Sequence, residues 1–321
     1  MFDVTALGEI LIDFTPAGLS ENGSVCFEQN PGGAPANVLA AVSKLGGSAA
    51  FIGKVGRDNF GLFLQNVLKE NQIDCSGLRF DDEVNTTLAF VHLDEKGERS
   101  FSFYRKPGAD MTLRNEEVDF EVIRSSRVFH FGSLSMTSEP SKSATLKALE
   151  YARNSGCIIS YDPNLRPALW NSMEAARHTM VSVLEHVDIL KISEDELEFI
   201  VGSSSMEAAA RKLYNQYDIK VLLVTRGEKG CYYRTKEITG YVPAYTDIKV
   251  IDSTGAGDAF LGGFLYKLLS GKYKPEALTK AAMDELVSFA NAAGALCTAK
   301  KGAIPAMPAL EQVNELMKSE K

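Results

Sequence analysis

Residues 157–192 read CIISYDPNLRPALWNSMEAARHTMVSVLEHVDILKI. The runs at 157–161 and 189–192 are short, apolar and β-branched, as buried strands are, and 173–185 between them carries apolar residues at helical spacing. Strand, helix and strand in this order form a right-handed crossover that joins two parallel strands. The alternation continues outward. On the N-terminal side 128–131 reads as a strand and 142–154 as a helix; on the C-terminal side 206–216 reads as a helix and 221–225 as a strand. Further upstream, 49–55 is strand-like, 60–70 helical, and 4–14 apolar enough for one buried strand, closed by Asp13 before Pro16 and Gly18. The pattern predicts an α/β fold with a mainly parallel sheet between two helical layers.

Two pieces fall outside the alternation. Strand-like 86–93 and 100–105 flank Asp94-Glu95-Lys96-Gly97, which has hairpin-turn composition, and 231–242 reads as a second hairpin that interrupts the pattern. Helical stretches at 256–269 and 275–297 follow. No linker-like segment and no repeat divides the chain, so a single domain over 1–321 is expected, with a small β appendage built from about 14–30 and 86–106.

At 321 residues and 35.0 kDa the chain can bury a large core, and 45% hydrophobic with 24% charged residues excludes a disordered or fibrous protein. Lys plus Arg number 34 against 42 Asp plus Glu, a formal charge of -8, so general attraction to nucleic acid or anionic membrane is not expected. An anionic ligand must be held locally. The opening MFDVTALGEILIDF has no basic start, and no apolar run is long enough to span a bilayer, which points to a cytoplasmic protein. Cys26, Cys75, Cys157, Cys231 and Cys297 are too scattered for a metal motif and odd in number, as reduced structural thiols are. His92, His130, His178 and His186 form no zinc-binding pair.

The most informative motif is Asp252-Ser253-Thr254-Gly255-Ala256-Gly257-Asp258-Ala259-Phe260. Small residues at 255–257, opening a helix, let backbone N–H groups close on an anion. An acid at 258 inside an anion pocket makes sense if it meets a hydroxyl, accepting its proton as the oxygen attacks a phosphoryl group. The alternative is a glycine-rich helix start in which Asp258 complements the helix dipole. Phe260 stands where a dinucleotide fingerprint needs a third glycine, and no Walker-type phosphate loop occurs. Near the N-terminus, Gly32-Gly33-Ala34-Pro35-Ala36-Asn37 offers exposed backbone and an amide, and Asp13 a carboxylate able to receive two hydroxyl protons. Both suit a polyol; a turn and a helix cap are the competing reading.

These motifs resemble the PfkB (ribokinase-like) carbohydrate kinase family over essentially the whole chain: GEILIDF at 8–14, NPGGAPANV at 30–38, Gly56-Arg57-Asp58-Asn59-Phe60-Gly61, DSTGAGDAF at 252–260 and Asn291-Ala292-Ala293-Gly294-Ala295. Within the family, GEILIDFTP, FSFYRKPGADMTL at 101–113 and YDPNLRPALW at 161–170 resemble the fructokinase branch. The resemblance implies a ribokinase-like three-layer α/β/α sandwich with a small β-sheet lid. It implies transfer of the ATP γ-phosphoryl group to a primary hydroxyl, that of fructose at O6, with 2-keto-3-deoxygluconate or another sugar or riboside as alternative acceptors. A catalytically silent sugar sensor is the reading from a different class, opposed by the presence of the base and its glycines.

The same resemblance implies the roles. Asp258 would be the base and the amides of Gly255, Ala256 and Gly257 the anion hole. Asp13, Gly32, Gly33 and Asn37 would hold sugar hydroxyls, with Phe103 packing on the sugar and Arg105 reaching its polar side. Asn164 and Arg166 would contact phosphate or sugar, a structural Arg–carboxylate pair being the alternative for the arginine. Ser193, Thr225, Gly227, Gly230 and Asn291 would face the nucleotide, and Glu196 magnesium, possibly through water. A potassium site would draw on Asp252, Thr254, Cys297, Gly302 and Ala306. Partners would be sugar and ATP, with neither nucleic acid nor membrane, and a homodimer formed through the lid.

Overall fold

The computed structural model describes residues 1–93, 99–203 and 205–319; the expected turn at 94–97 lies outside them. In chain order the first half forms β1 (Phe2–Leu7), β2 (Leu11–Leu19), β3 (Val25–Gly32), α1 (Ala34–Lys44), β4 (Ala49–Gly56), α2 (Asn59–Glu70), β5 (Ile73–Asp81), β6 (Leu88–Leu93), β7 (Arg99–Tyr104), α3 (Phe120–Arg124), β8 (Ser126–Gly132) and α4 (Ser141–Asn154). The second half forms β9 (Ile158–Asp162), α5 (Met173–Ser182), β10 (Ile189–Ser193), α6 (Glu194–Val201), α7 (Met206–Gln216), β11 (Val221–Thr225), β12 (Cys231–Arg234), β13 (Thr239–Val242), α8 (Ala256–Ser270), α9 (Lys280–Cys297) and α10 (Leu310–Ser319).

The large sheet has the order β13-β12-β11-β10-β9-β8-β1-β4-β5. Every pair from β11 through β5 is parallel, which follows from the crossover helices. The 231–242 hairpin does not interrupt the sheet: β12 and β13 extend it as an antiparallel edge. Strand order reverses at β1, where the chain leads to β4 on one side and to β8 on the other, the place at which open α/β sheets bind ligands beyond the carboxyl ends of their strands. A second sheet, β3-β2-β6-β7, stands apart from the first.

The run at 4–14 is two strands rather than one. The chain leaves the large sheet after Leu7 and re-enters the small sheet at Leu11. Gly8 marks the crossing, where a Cβ would lie 2.5 Å from the Pro35 ring. Pro16 does not end β2: β6 pairs only with Ile12, Asp13 and Phe14, so the N–H that proline lacks has no partner to lose.

Helices cover both faces of the large sheet. α1, α8 and α9 pack on one, with Val38, Leu39, Phe260, Phe264 and Leu286 in a core shared with β1 and β4. The other face buries Leu149, Met180, Leu197 and Leu213 of α4 to α7. α8 is apolar nearly all round because α1 and α9 flank it. At Gly262 a Cβ would fall 2.5 Å from the Ala41 Cβ and 2.8 Å from the Val38 carbonyl. That seam of small residues lets α1 and α8 run side by side, and it brings their N-terminal turns together.

Candidate active site

Those two helix starts, the loop after β9, the inner surface of the small sheet and residues 301–303 enclose a cavity of about 620 Å³. Asp258 is on its wall, 7% exposed, in the first turn of α8. Burial raises its carboxyl above the usual range, opposed by the nearby Lys191 ammonium and a hydrogen bond from Asn37. That bond, Asn37 Nδ2 to Asp258 Oδ2 at 2.8 Å, spans the α1–α8 seam. It gives Asn37 a role the sequence did not show, since its donor orients the acid. Its Oδ1 is buried and has no hydrogen-bond partner among the described residues, on a residue that lines the cavity.

Gly255 precedes α8 with φ +79°, a left-handed conformation, and it lines the cavity with Gly257; Ala256 does not, its N–H being spent on the Ser253 carbonyl at 3.2 Å, so the expected three-amide anion hole is cut back to its two glycines. Opposite them, Asp13 projects from β2. Gly32, in register with Leu11 and diagonal to Asp13 across β2 and β3, does not line the cavity: a Cβ there would sit 2.2 Å from Asp13 Oδ2, so the glycine makes room for the carboxylate. Gly33 does line the cavity, beside Phe103, Asn164 and the exposed Arg166. Desolvation pushes the Asp13 carboxyl up to about 6, Arg166 opposing and Asp252 adding to the shift.

Two buried ionisable groups on the wall received no role from the sequence, although Glu9 lies within GEILIDF. Glu9 accepts from the Ala34 N–H at 3.0 Å through Oε1, while Oε2 is unpartnered; burial pushes its carboxyl up to about 7. Lys191, on β10, donates to Asp162 Oδ2 at 2.8 Å. Burial opposes its charge, but Asp162, Glu196 and Asp258 outweigh it and push the ammonium up to about 12.

The chain matches the description "pfkB family carbohydrate kinase" over residues 1–310. It belongs to that family. Among its relatives is "Probable fructokinase-3" of Arabidopsis thaliana, 46% identical over 320 residues, 99% of this chain and 92% of that protein. A fructokinase from Xylella fastidiosa solved with bound ATP superposes with a TM-score of 0.91 at 34% identity, covering 100% of this chain and 99% of that one. A fructokinase from Vibrio cholerae O395, solved with fructose, ADP and calcium, gives 0.87 at 35% identity over 98% and 99%. The pfkB fold, a large mostly parallel sheet with helices and a small separate sheet, is therefore that of a carbohydrate kinase.

Within this pfkB kinase several expected contacts fall elsewhere. Arg105 does not reach the cavity. Its guanidinium, 6% exposed, is engaged by Asp110 at 2.7 Å, Thr137 Oγ1 at 3.0 Å and the Leu134 carbonyl at 2.9 Å, so it braces the turn behind the wall. Asn291 spends both amide hydrogens on the carbonyls of Val242 and Pro243, at 3.1 and 2.9 Å, and shapes the chain after β13 instead of offering donors to a ligand. Ser193 caps α6, and Glu196 closes the capping box, one oxygen on the Ser193 N–H and the other on the Leu165 N–H. That second bond ties α6 to the loop holding Asn164, whose φ of +50° aims it at the cavity.

Ser193 and Thr225 are paired in register at the carboxyl ends of β10 and β11, with Gly227 and Gly230 in the turn that follows. None of these four lines the cavity. They form a shelf along the sheet's edge beside it. Asp252 accepts from the Thr254 N–H and hydroxyl and from the Gly302 N–H at 3.0 Å, and the Cys297 thiol lies 3.7 Å from the Thr254 carbonyl. Four of the five residues expected around a monovalent cation are thus linked directly; Ala306 sits in the short turn after Gly302, its N–H on Ala303.

Proposed function

We propose that this pfkB kinase is an ATP-dependent fructokinase that phosphorylates the primary hydroxyl at O6. The observation that carries the reading is Asp258, buried in the first turn of α8, fixed by Asn37 and facing Asp13 across one cavity. The sugar lies between Asp13, the Asn37 carbonyl oxygen, Gly33 and Phe103, with the triphosphate along the Ser193–Thr225 shelf. Asp258 accepts the hydroxyl proton, the oxygen–phosphorus bond forms, and the bond from phosphorus to the ADP oxygen breaks with its electron pair leaving on ADP. The Gly255 and Gly257 amides take the charge that develops on the phosphoryl oxygens.

Magnesium neutralises triphosphate charge in such chemistry. A magnesium ion would come with the triphosphate, held by phosphate oxygens and waters rather than by a dedicated cage of side chains. Glu196, each oxygen already on one N–H, is suited to the ion's water shell rather than to direct ligation. Carbonyls around the Asp252–Gly302 link are the proposed potassium site. The four-stranded sheet is the proposed lid, inserted in a single domain over 1–321. Its exposed Leu19, Val25 and Tyr104 offer the face for a homodimer, and monomeric sedimentation would remove that reading. No described helix is long and apolar enough to cross a membrane, and the free thiols fit a cytoplasmic location.

The test is ADP release with fructose, 2-keto-3-deoxygluconate and ribose in turn, each in potassium and in choline buffer. Fructose is expected to give the highest kcat/KM, and choline to lower it. Preference for the keto acid sinks the fructose reading; equal rates in both buffers sink the potassium site.

Asp13 supplies a pH prediction. Above its pKa, near 6, it is an acceptor-only carboxylate, and below it one oxygen carries a proton and cannot take a hydroxyl hydrogen. The KM for fructose is expected to rise as pH falls from about 7 to about 5. Asp13→Asn should show a raised KM at every pH with that limb flattened. An unchanged wild-type KM across the range removes Asp13 from the sugar.

A further inference from the structure

Lys191 stands in the middle of Ile189-Leu190-Lys191-Ile192, a fully buried stretch of a central strand, and is itself 7% exposed. It is part of the cavity wall. A Cβ built on Gly257 would lie 3.0 Å from its Nζ, so the ammonium sits directly against the last glycine of the anion-hole turn. Of its three N–H donors, one is accounted for among the described residues, by Asp162. Pairing with Asp162 alone does not explain the residue: a buried ion pair is generally no more stabilising than apolar side chains of the same volume. It also leaves two donors of a desolvated cation unsatisfied beside the cavity.

We propose that Lys191 is a catalytic residue, whose two remaining N–H donors bind the oxygens of the phosphoryl group in transit. The inference rests on the phosphoryl-transfer reading of the cavity. As the sugar oxygen–phosphorus bond forms and the phosphorus–ADP oxygen bond breaks, negative charge spreads over the three oxygens that belong to neither bond. A cation already stripped of water and fixed by Asp162 meets that charge without reorganising. Lys191 gains and loses no proton; Asp258 takes the hydroxyl's. Asp162 is a positioning residue that holds the ammonium under Gly257.

Wild-type turnover of fructose is measured first, and its absence overturns both the phosphoryl-transfer reading and this one. Lys191→Met alone strands a buried carboxylate, so the decisive variant is Lys191→Met with Asp162→Asn, which removes both charges at similar volume. With the melting temperature held, kcat is expected to fall about 100-fold or more while the KM for fructose and for ATP stays within about threefold. Asp162→Asn alone, which keeps the ammonium, should lose about tenfold or less. A double variant with near wild-type kcat overturns the proposal and leaves the kinase reading intact. Should the double variant not fold, the Nζ resonance of Lys191 in the 15N-labelled wild type, assigned through Asp162→Asn, decides the matter. It should shift when aluminium fluoride is added to the ADP–fructose complex, and an unmoved signal overturns the assignment.

Discussion

Asp258→Asn is expected to fold normally and to lose about 10³-fold or more in kcat, with little change in the KM for either substrate. The amide keeps the shape and still accepts from Asn37 Nδ2, so the helix start and the α1–α8 seam are undisturbed. What disappears is the proton acceptor. The stability prediction has a definite sign. Burial raises the native-state pKa of Asp258 above its unfolded value, so above that unfolded pKa the ionised carboxylate costs the fold free energy, and the cost is relieved as pH falls through the native pKa. A neutral amide lacks the penalty. The variant should therefore melt at the wild-type temperature or above it near neutral pH. Wild-type turnover in a folded Asp258→Asn protein would end the assignment of the base.

Gly255→Val should damage both catalysis and stability. With φ at +79°, the position is strained for any side chain with a Cβ and most of all for a β-branched one. The new Cβ would also lie 2.7 Å from the Ala303 Cβ and 3.0 Å from the Ala303 Cα. Relieving that contact means moving residues 301–303 away from the mouth of the cavity or rotating the turn that presents the amides. A loss of about 2–4 kcal/mol is expected from the strain and overpacking together. In the surviving folded protein, kcat should fall about 100-fold, because the oxyanion donors lose their aim. Chemical denaturation and steady-state kinetics on one preparation separate the two effects. A stable variant with unaltered kinetics would show that the turn does not approach phosphate.

The alternation around 157–192 was enough to read the parallel sheet, because a buried strand flanked by crossover helices leaves two different apolar periods in the chain. β5 escaped notice because it is an edge strand carrying Asp74, Ser76 and Gly77, and α6 because its first turn is Glu194-Asp195-Glu196, which reads as a solvated loop. The site divides in the same way. Asp258, Gly255, Gly257, Asp13 and Asn37 all fall on the cavity wall; their motifs left a helix start, a turn or a cap as alternatives, and it was the family resemblance that singled them out. Arg105 misled because its partner Asp110, five residues on, is an equally good fit for a guanidinium. Lys191 and Glu9 left one signal each, a charge inside an apolar strand or crossing, and only the packing shows that both face the cavity.

The crossing at Gly8, where the chain passes from one sheet to the other, puts Asp13 on the small sheet while Asp258 stays on a helix of the large one. In the reaction proposed above, holding the acceptor and deprotonating it would thereby fall to different layers. On the proposed reading, the strand that changes sheets is what sets Asp13 and Asp258 on opposite sides of one cavity.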